Sequence, residues 1–264
     1  MINVFDYDHI NFVPDSQIIF PSIFLIDVEK IKHPDCVYKE CFEILQQYYN
    51  YLILPSNDLD FSNVILTKFR LFLRSIESEI RNARNKGTNE FDFYRNTRSL
   101  LRSLDYGDLL LYWENKKGVF WSFVSMDHSL VQKRMIKLTN EKLALFAKTC
   151  EGHKVIFSDG EQKLSEGLYI LIKKLQKEKK VKYLANDADL MILADCLIYN
   201  GERVQQGIIY LVTGDKNLRG VASEIVENPL LVFSDLQPNS KLVGFIPLEP
   251  EKLIADHKCR SGQK

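Results

Sequence analysis

Short apolar runs alternate with stretches of helical spacing along most of this chain, and their order predicts the fold class. Residues 22–27 (SIFLID) are an apolar run closed by an acid, the pattern of a strand buried in a parallel sheet. Residues 38–49 place Phe42, Leu45 and Tyr49 on one helical face. A second apolar run at 51–54 (YLIL) is stopped by Pro55, and 61–84 is amphipathic and rich in helix formers, which predicts one long helix. Strand, helix, strand, helix is the order of a parallel sheet with helical crossovers.

The middle of the chain has a different rhythm. Residues 91–104 are spaced as a helix, and two apolar runs (LLLYW at 109–113, VFWSFV at 119–124) flank the polar stretch ENKKG. That pattern predicts a β-hairpin turning near Gly118. After a helix at 140–150 the alternation resumes. Strands are expected at 154–157, 208–212 and 230–233, and helices at 162–179, 190–199 and 218–226. The last residues, HKCRSGQK, read as loose. The expected fold is α/β: a parallel central sheet flanked by helices, in a single domain spanning 1–264, with a helix plus β-hairpin inserted at 85–150.

Composition narrows the class without naming a chemistry. Lys plus Arg equals Asp plus Glu at 35 each, so bulk charge gives no pull on phosphate and any nucleic-acid contact must be local. Five cysteines form no CxxC pair, which predicts reduced thiols rather than a disulfide framework or zinc site. No apolar run approaches the roughly 20 residues that span a bilayer, and the N-terminal residues lack a signal-peptide pattern. The expectation is an intracellular, cytoplasmic protein.

Acids fall where apolar runs end or helices begin. Asp27 closes the first run, Asp187 and Asp189 precede an apolar helix, and Asp215 follows the strand IIYLV through Thr213-Gly214. In a parallel sheet these places lie along one edge, where ligands bind. Clustered carboxylates repel unless a cation neutralises them, and an oxygen-rich set suits Mg²⁺ or Mn²⁺. Taken singly, Asp187, Asp189 and Asp215 also read as helix N-caps, and Asp27 as a strand-end acid.

The segment LANDADLMILADCLIYNGERVQQGIIYLVTGDKNLRGVASEI resembles PIN domains, a family of metal-dependent nucleases, and is most similar to those of RNA decay. The likeness rests on Asn186-Asp187 with Asp189 before a helix, then a strand running into Thr213-Gly214-Asp215-Lys216-Asn217-Leu218. It implies that Asp189 and Asp215 are the third and fourth family acids, and Asp27 the first. Val28 and Glu29 stand where the family has a hydroxyl residue and an Asn. The second acid aligns near Phe61, which makes Asp60 the candidate; Asp58, Glu77 and Glu79 are alternatives.

The resemblance implies a metal-dependent endoribonuclease: Asp27, Asp60, Asp189 and Asp215 act with Thr213, and Asp27, Asp189 and Asp215 ligate Mg²⁺ or Mn²⁺ to cut single-stranded RNA. The alternative is a catalytically depleted PIN scaffold that binds RNA or a protein through the insertion. Lys174, Lys180, Lys182 and Lys216 are candidate RNA contacts, although a lysine run near a helix end is also an ordinary solvated face. Lys68, Arg70, Arg74, Arg81 and Arg84 form a second candidate strip. No membrane partner is expected, and a homodimer fits the family.

Overall fold

The computed structural model describes residues 10–24, 34–104, 109–203, 208–234 and 244–262. In chain order the elements are β1 (Ile10–Pro14), α1 (Ser16–Phe24), α2 (Pro34–Tyr48), α3 (Pro55–Asn63), α4 (Arg70–Lys86), α5 (Glu90–Ser103), α6 (Leu110–Ser122), α7 (His128–Cys150), α8 (Asp159–Lys177), α9 (Asp187–Arg203), β2 (Ile208–Val212), α10 (Lys216–Glu227), β3 (Phe245–Leu248) and α11 (Pro250–Ser261). They sort into two compact units. The first holds Met1–Ser22, Lys32–Asp60 and Cys150–Lys264; the second holds Ile23–Ile31 and Phe61–Thr149.

The first unit is built on a parallel sheet. β1 pairs with β2 from Ile10↔Ile208 to Pro14↔Val212, and β2 pairs with β3. On the far side of β1, Tyr51 bridges to Phe12 and Ile53 bridges to Lys154, both in parallel. Phe12 N–H donates to Asn50 at 3.0 Å and Leu52 N–H returns to Phe12 O at 2.8 Å. The spatial order is therefore 154, 51–53, β1, β2, β3. The chain builds outward from β1 in one direction, then returns to its other side. This reversal is a topological switch point, and it opens at the C-terminal ends of β1 and β2.

Burial explains the sheet's composition. A central parallel strand is covered on both faces and needs no polar alternation; four of the five β1 residues are buried. Helix α9 is buried all round in its middle: Ile192 through Ile198 are all buried, Asp195 being the one charged residue among them. Leu168, Ile172 and Leu175 of α8, and Leu218, Val221, Ala222 and Ile225 of α10, follow helical spacing and complete the same core. Ser158 and Glu161 start α8 with a reciprocal capping box.

The second unit is helical and corrects several expectations. Residues 109–124 form no hairpin; Leu110–Ser122 is α6, followed by a 3₁₀ turn at Phe123–Ser125. Leu109, Tyr112, Trp113, Phe120 and Phe123 are buried at helical spacing, and Lys117 pairs with Glu114 one turn away at 2.9 Å. Gly118 is not among the residues with positive φ. The helix expected over 61–84 is continuous but tightens and loosens: a π-helical segment, Val64–Phe69, joins α3 to α4. The segment expected as an insertion, 85–150, lies in this unit up to Thr149, and the unit begins earlier, at Phe61.

Three further corrections fall in or near the first unit. Ser22–Phe24 end helix α1 instead of opening a strand, and Asp27 lies outside the described residues. The strand expected at 230–233 gives way to a 3₁₀ turn at Pro229–Leu231, where Pro229 has no N–H for a ladder. The sheet's last strand is Phe245–Leu248. The C-terminal residues expected to be loose are largely helical: Pro250 opens α11 and Leu253 and Ile254 are buried. No helix among the described residues is long and apolar enough to cross a membrane.

Candidate carboxylate site at the switch point

Asp15 directly follows β1 and Thr213 directly follows β2, so the two residues meet where the strand order reverses. Thr213 Oγ1 donates to Asp15 Oδ2 at 2.7 Å and accepts the backbone N–H of Asp215 at 3.0 Å. Asp15 N–H donates to Val212 O at 2.9 Å, which ties the acid to the neighbouring strand. Arg219 fixes the turn from below, donating to Thr213 O at 2.8 Å while pairing with Glu249 at 2.7 Å.

Each acid is delivered by a different local device. Asp215 is the N-cap of α10: its Oδ1 accepts from Asn217 N–H at 2.6 Å and Leu218 N–H at 3.0 Å. Both cap bonds use the same oxygen, so Oδ2 stays outside the cap. Asp189 is not a cap. Asn186 takes that role for α9, accepting the Asp189 N–H at 3.0 Å through its side-chain oxygen. The Asp189 carboxylate is thereby left for other work. Asp187 is exposed and paired with Lys173 at 2.7 Å, away from the cluster.

The charges of the neighbouring acids act on Asp15 and Asp189. Burial pushes the Asp15 carboxyl up to about 6; the bonds from Thr213 and the Ser16 backbone pull it down, and the charges of Asp60 and Asp215 push it up. Burial pushes Asp189 further, to about 7, with Asp15, Asp215 and Asp60 adding to the rise. Asp60, on α3, is thus near enough to act on both. Of the alternatives, Asp58 is occupied by Lys154, which reaches both of its oxygens at 2.7 and 2.9 Å. Glu77 and Glu79 belong to the second unit and pair there with Arg81 and Asn82.

Two buried oxygens here have no hydrogen-bond partner among the described residues: Asp189 Oδ2 and Ser16 Oγ. Their residues are only 6% and 7% exposed. An unpaired carboxylate oxygen in that setting costs free energy unless a cation or proton meets it. The donor set, carboxylates plus a hydroxyl, fits a hard divalent ion such as Mg²⁺ or Mn²⁺. Among the described residues, no three His, Cys, Asp or Glu side chains already sit close enough together to hold a metal.

Behind the acids lies a buried support. Asp195 Oδ2 accepts the Ser56 N–H at 2.8 Å at the start of α3, and its Oδ1 accepts from the Ser165 hydroxyl of α8. Gly214 is pressed against the Tyr38 ring of α2: a Cβ there would meet the phenolic oxygen at 2.0 Å. The candidate lysines are scattered among other duties. Lys174 and Lys180 both pair with Glu178, the backbone N–H of Lys182 donates to Glu224, and Lys216 is exposed beside Asp215. In the second unit, Arg84 is spent on the carbonyls of Phe123, Val124 and Met126.

The sequence reading missed Asp15. Its signal is present: Phe12-Val13-Pro14 is an apolar run closed by Asp15 and followed by the hydroxyl residue Ser16. No protein-family model, curated protein or solved structure matches the chain. What fold and site define together is a class: a small parallel sheet flanked by helices, with Asp15 and Asp215 linked through Thr213 where two of its strands end.

Proposed function

We propose that the first unit is a PIN-like nuclease domain that holds Mg²⁺ or Mn²⁺ with Asp15, Asp60, Asp189 and Asp215 and hydrolyses single-stranded RNA endonucleolytically. The observation that carries this reading is the buried Asp189 Oδ2, without a hydrogen-bond partner among the described residues, beside the charges of three further carboxylates. Such a divalent ion, when bound, activates water and neutralises charge on the phosphodiester. The chain's own residues prepare the place. Thr213 fixes the rotamer of Asp15, Asn186 relieves Asp189 of capping, and Asp215 caps with one oxygen while the other faces away from the cap. Ser16 stands directly after Asp15, where the PIN pattern has a hydroxyl residue. Lys216, next to Asp215 and exposed, is the lysine best placed to meet a phosphate.

End-labelled single-stranded RNA with Mn²⁺ tests the proposal. Wild-type protein cuts internally, whereas Asp15→Asn and Asp189→Asn lose roughly 100-fold or more in rate. Unchanged cleavage in both variants would sink the site assignment.

A second reading is a depleted scaffold that binds RNA without cutting it. Calorimetric titration with Mn²⁺ separates the two: no heat of binding, with RNA binding intact, selects the scaffold.

A further inference from the structure

The second unit carries a surface unrelated to the carboxylates. Helices α5 and α6 border a groove of about 500 Å³. Arg95, Arg98 and Arg102 recur at i, i+3 and i+7 on α5, so they form one stripe about 10 Å long. Lys117 of α6 faces them, and the buried Trp113 forms the floor. At the N-terminal end of the stripe, Phe91 is 72% exposed, which a structural role does not require. The Arg95 guanidinium lies 6.0 Å from the centre of that ring, and Lys117 lies 5.4 Å from the Tyr94 ring.

The charges along the groove do not cancel. Arg95 pairs with Asp92 at 2.7 Å. Glu114 is shared between Arg98 at 3.0 Å and Lys117 at 2.9 Å, so one carboxylate serves two cations. Arg102 has no acid partner among the described residues. All three arginines are exposed, and pairs of this kind exchange readily for an incoming anion. Spaced guanidinium groups beside the exposed Phe91 ring match a strand of phosphates carrying unpaired bases, because a base offers a face to stack and each phosphate a charge to neutralise. A duplex hides its bases and would leave Phe91 unused.

We propose that the α5–α6 groove is a binding site for single-stranded RNA, with Arg98 and Arg102 on phosphates and Phe91 stacked on a base. The proposal does not depend on cleavage by the first unit, since binding is read without metal. The probe is a fluorescein-labelled 15-nucleotide oligouridylate titrated with the full chain in EDTA, with polarisation as the readout. Arg98→Glu with Arg102→Glu weakens binding at least 20-fold and lowers the slope of log K against log salt by about 1.4, two phosphates' worth. Phe91→Ala weakens it roughly 10-fold with the slope unchanged. Lys133→Glu with Lys137→Glu, an equal charge change at exposed positions of α7, leaves binding within twofold.

Circular dichroism identical to wild type establishes that these exposed substitutions leave the fold intact. Wild-type affinity and slope in the double variant would overturn the proposal. So would displacement of RNA by polyglutamate of equal charge, which would assign the groove to an acidic peptide. Calorimetry with Mn²⁺ on the double variant keeps the two sites apart, because it reads the carboxylates alone.

Discussion

Thr213 Oγ1 stands between two acids, donating to Asp15 Oδ2 at 2.7 Å and accepting from the backbone of Asp215 at 3.0 Å. One hydroxyl thus couples the end of β1 to the start of α10. Thr213→Val keeps the shape and removes both bonds. It should cost about 1–3 kcal/mol in urea unfolding, since Thr213 is fully buried and both partners lose their bond. The Asp15 carboxyl rises further, because the Thr213 bond is what lowers it. NMR titration of that carboxyl reads the shift directly, and an unmoved or lowered value would contradict the role.

The two raised carboxyls make stability depend on pH in a defined direction. Asp15 sits at about 6 and Asp189 at about 7, both above the ordinary 3.8. The folded state therefore holds protons that the unfolded state has released between these values. Their contribution is complete below about 3.8, declines as pH rises and is gone above about 7, a span worth on the order of a few kcal/mol. In EDTA, Asp189→Asn should flatten the fall in stability between pH 5 and 7.5 and stabilise the protein at the upper end. A variant less stable than wild type at pH 7.5 would refute this account.

Asp195 is a support for α3 rather than a member of the cluster. Asp195→Ala strands the Ser56 N–H and the Ser165 hydroxyl in the core, which predicts a loss of about 3 kcal/mol or more. Calorimetric melting of this variant beside Ser165→Ala checks it. The two losses should not add, because both substitutions break the same bond.

At the turn between the acids, Gly214→Ala places a methyl group 2.0 Å from the Tyr38 hydroxyl oxygen. The expected penalty is about 1–3 kcal/mol of strain. Combining it with Tyr38→Ala should recover most of that loss. A double-mutant cycle with no coupling would mean that the ring swings aside freely.

Much of the first unit was legible in the sequence. Residues 208–212 form the strand their alternation suggested, and the helices after residue 158 follow their apolar spacing to within a few residues. Asp60, Asp189 and Asp215 are all candidate acids on the sequence pattern alone. The first strand was misplaced because residues 22–27 look more apolar than residues 10–14, whose Asn11 and Pro14 dilute the pattern. Pro14 is tolerated because it closes the strand, where a missing N–H is cheap. The hairpin error has another origin. Aromatic residues suit strands and buried helix faces alike, and only the i, i+3, i+4 spacing of Leu109, Tyr112 and Trp113 separates the two. No local pattern in the sequence announces that Asp195 anchors α3, since its partners lie 139 and 30 residues away.

The strand order also governs when the site comes into being during synthesis. Its acids arrive at residues 15, 60, 189 and 215, and the middle strand waits for residues 208–212 before its second edge is filled. A ribosome-bound chain therefore carries its first two acids through more than a hundred residues of translation without the partners that complete them. Whatever chemistry these carboxylates perform is withheld from the nascent polypeptide until residue 215 has been made. A product released before Asp215 would lack both the cap of α10 and the backbone partner of Thr213.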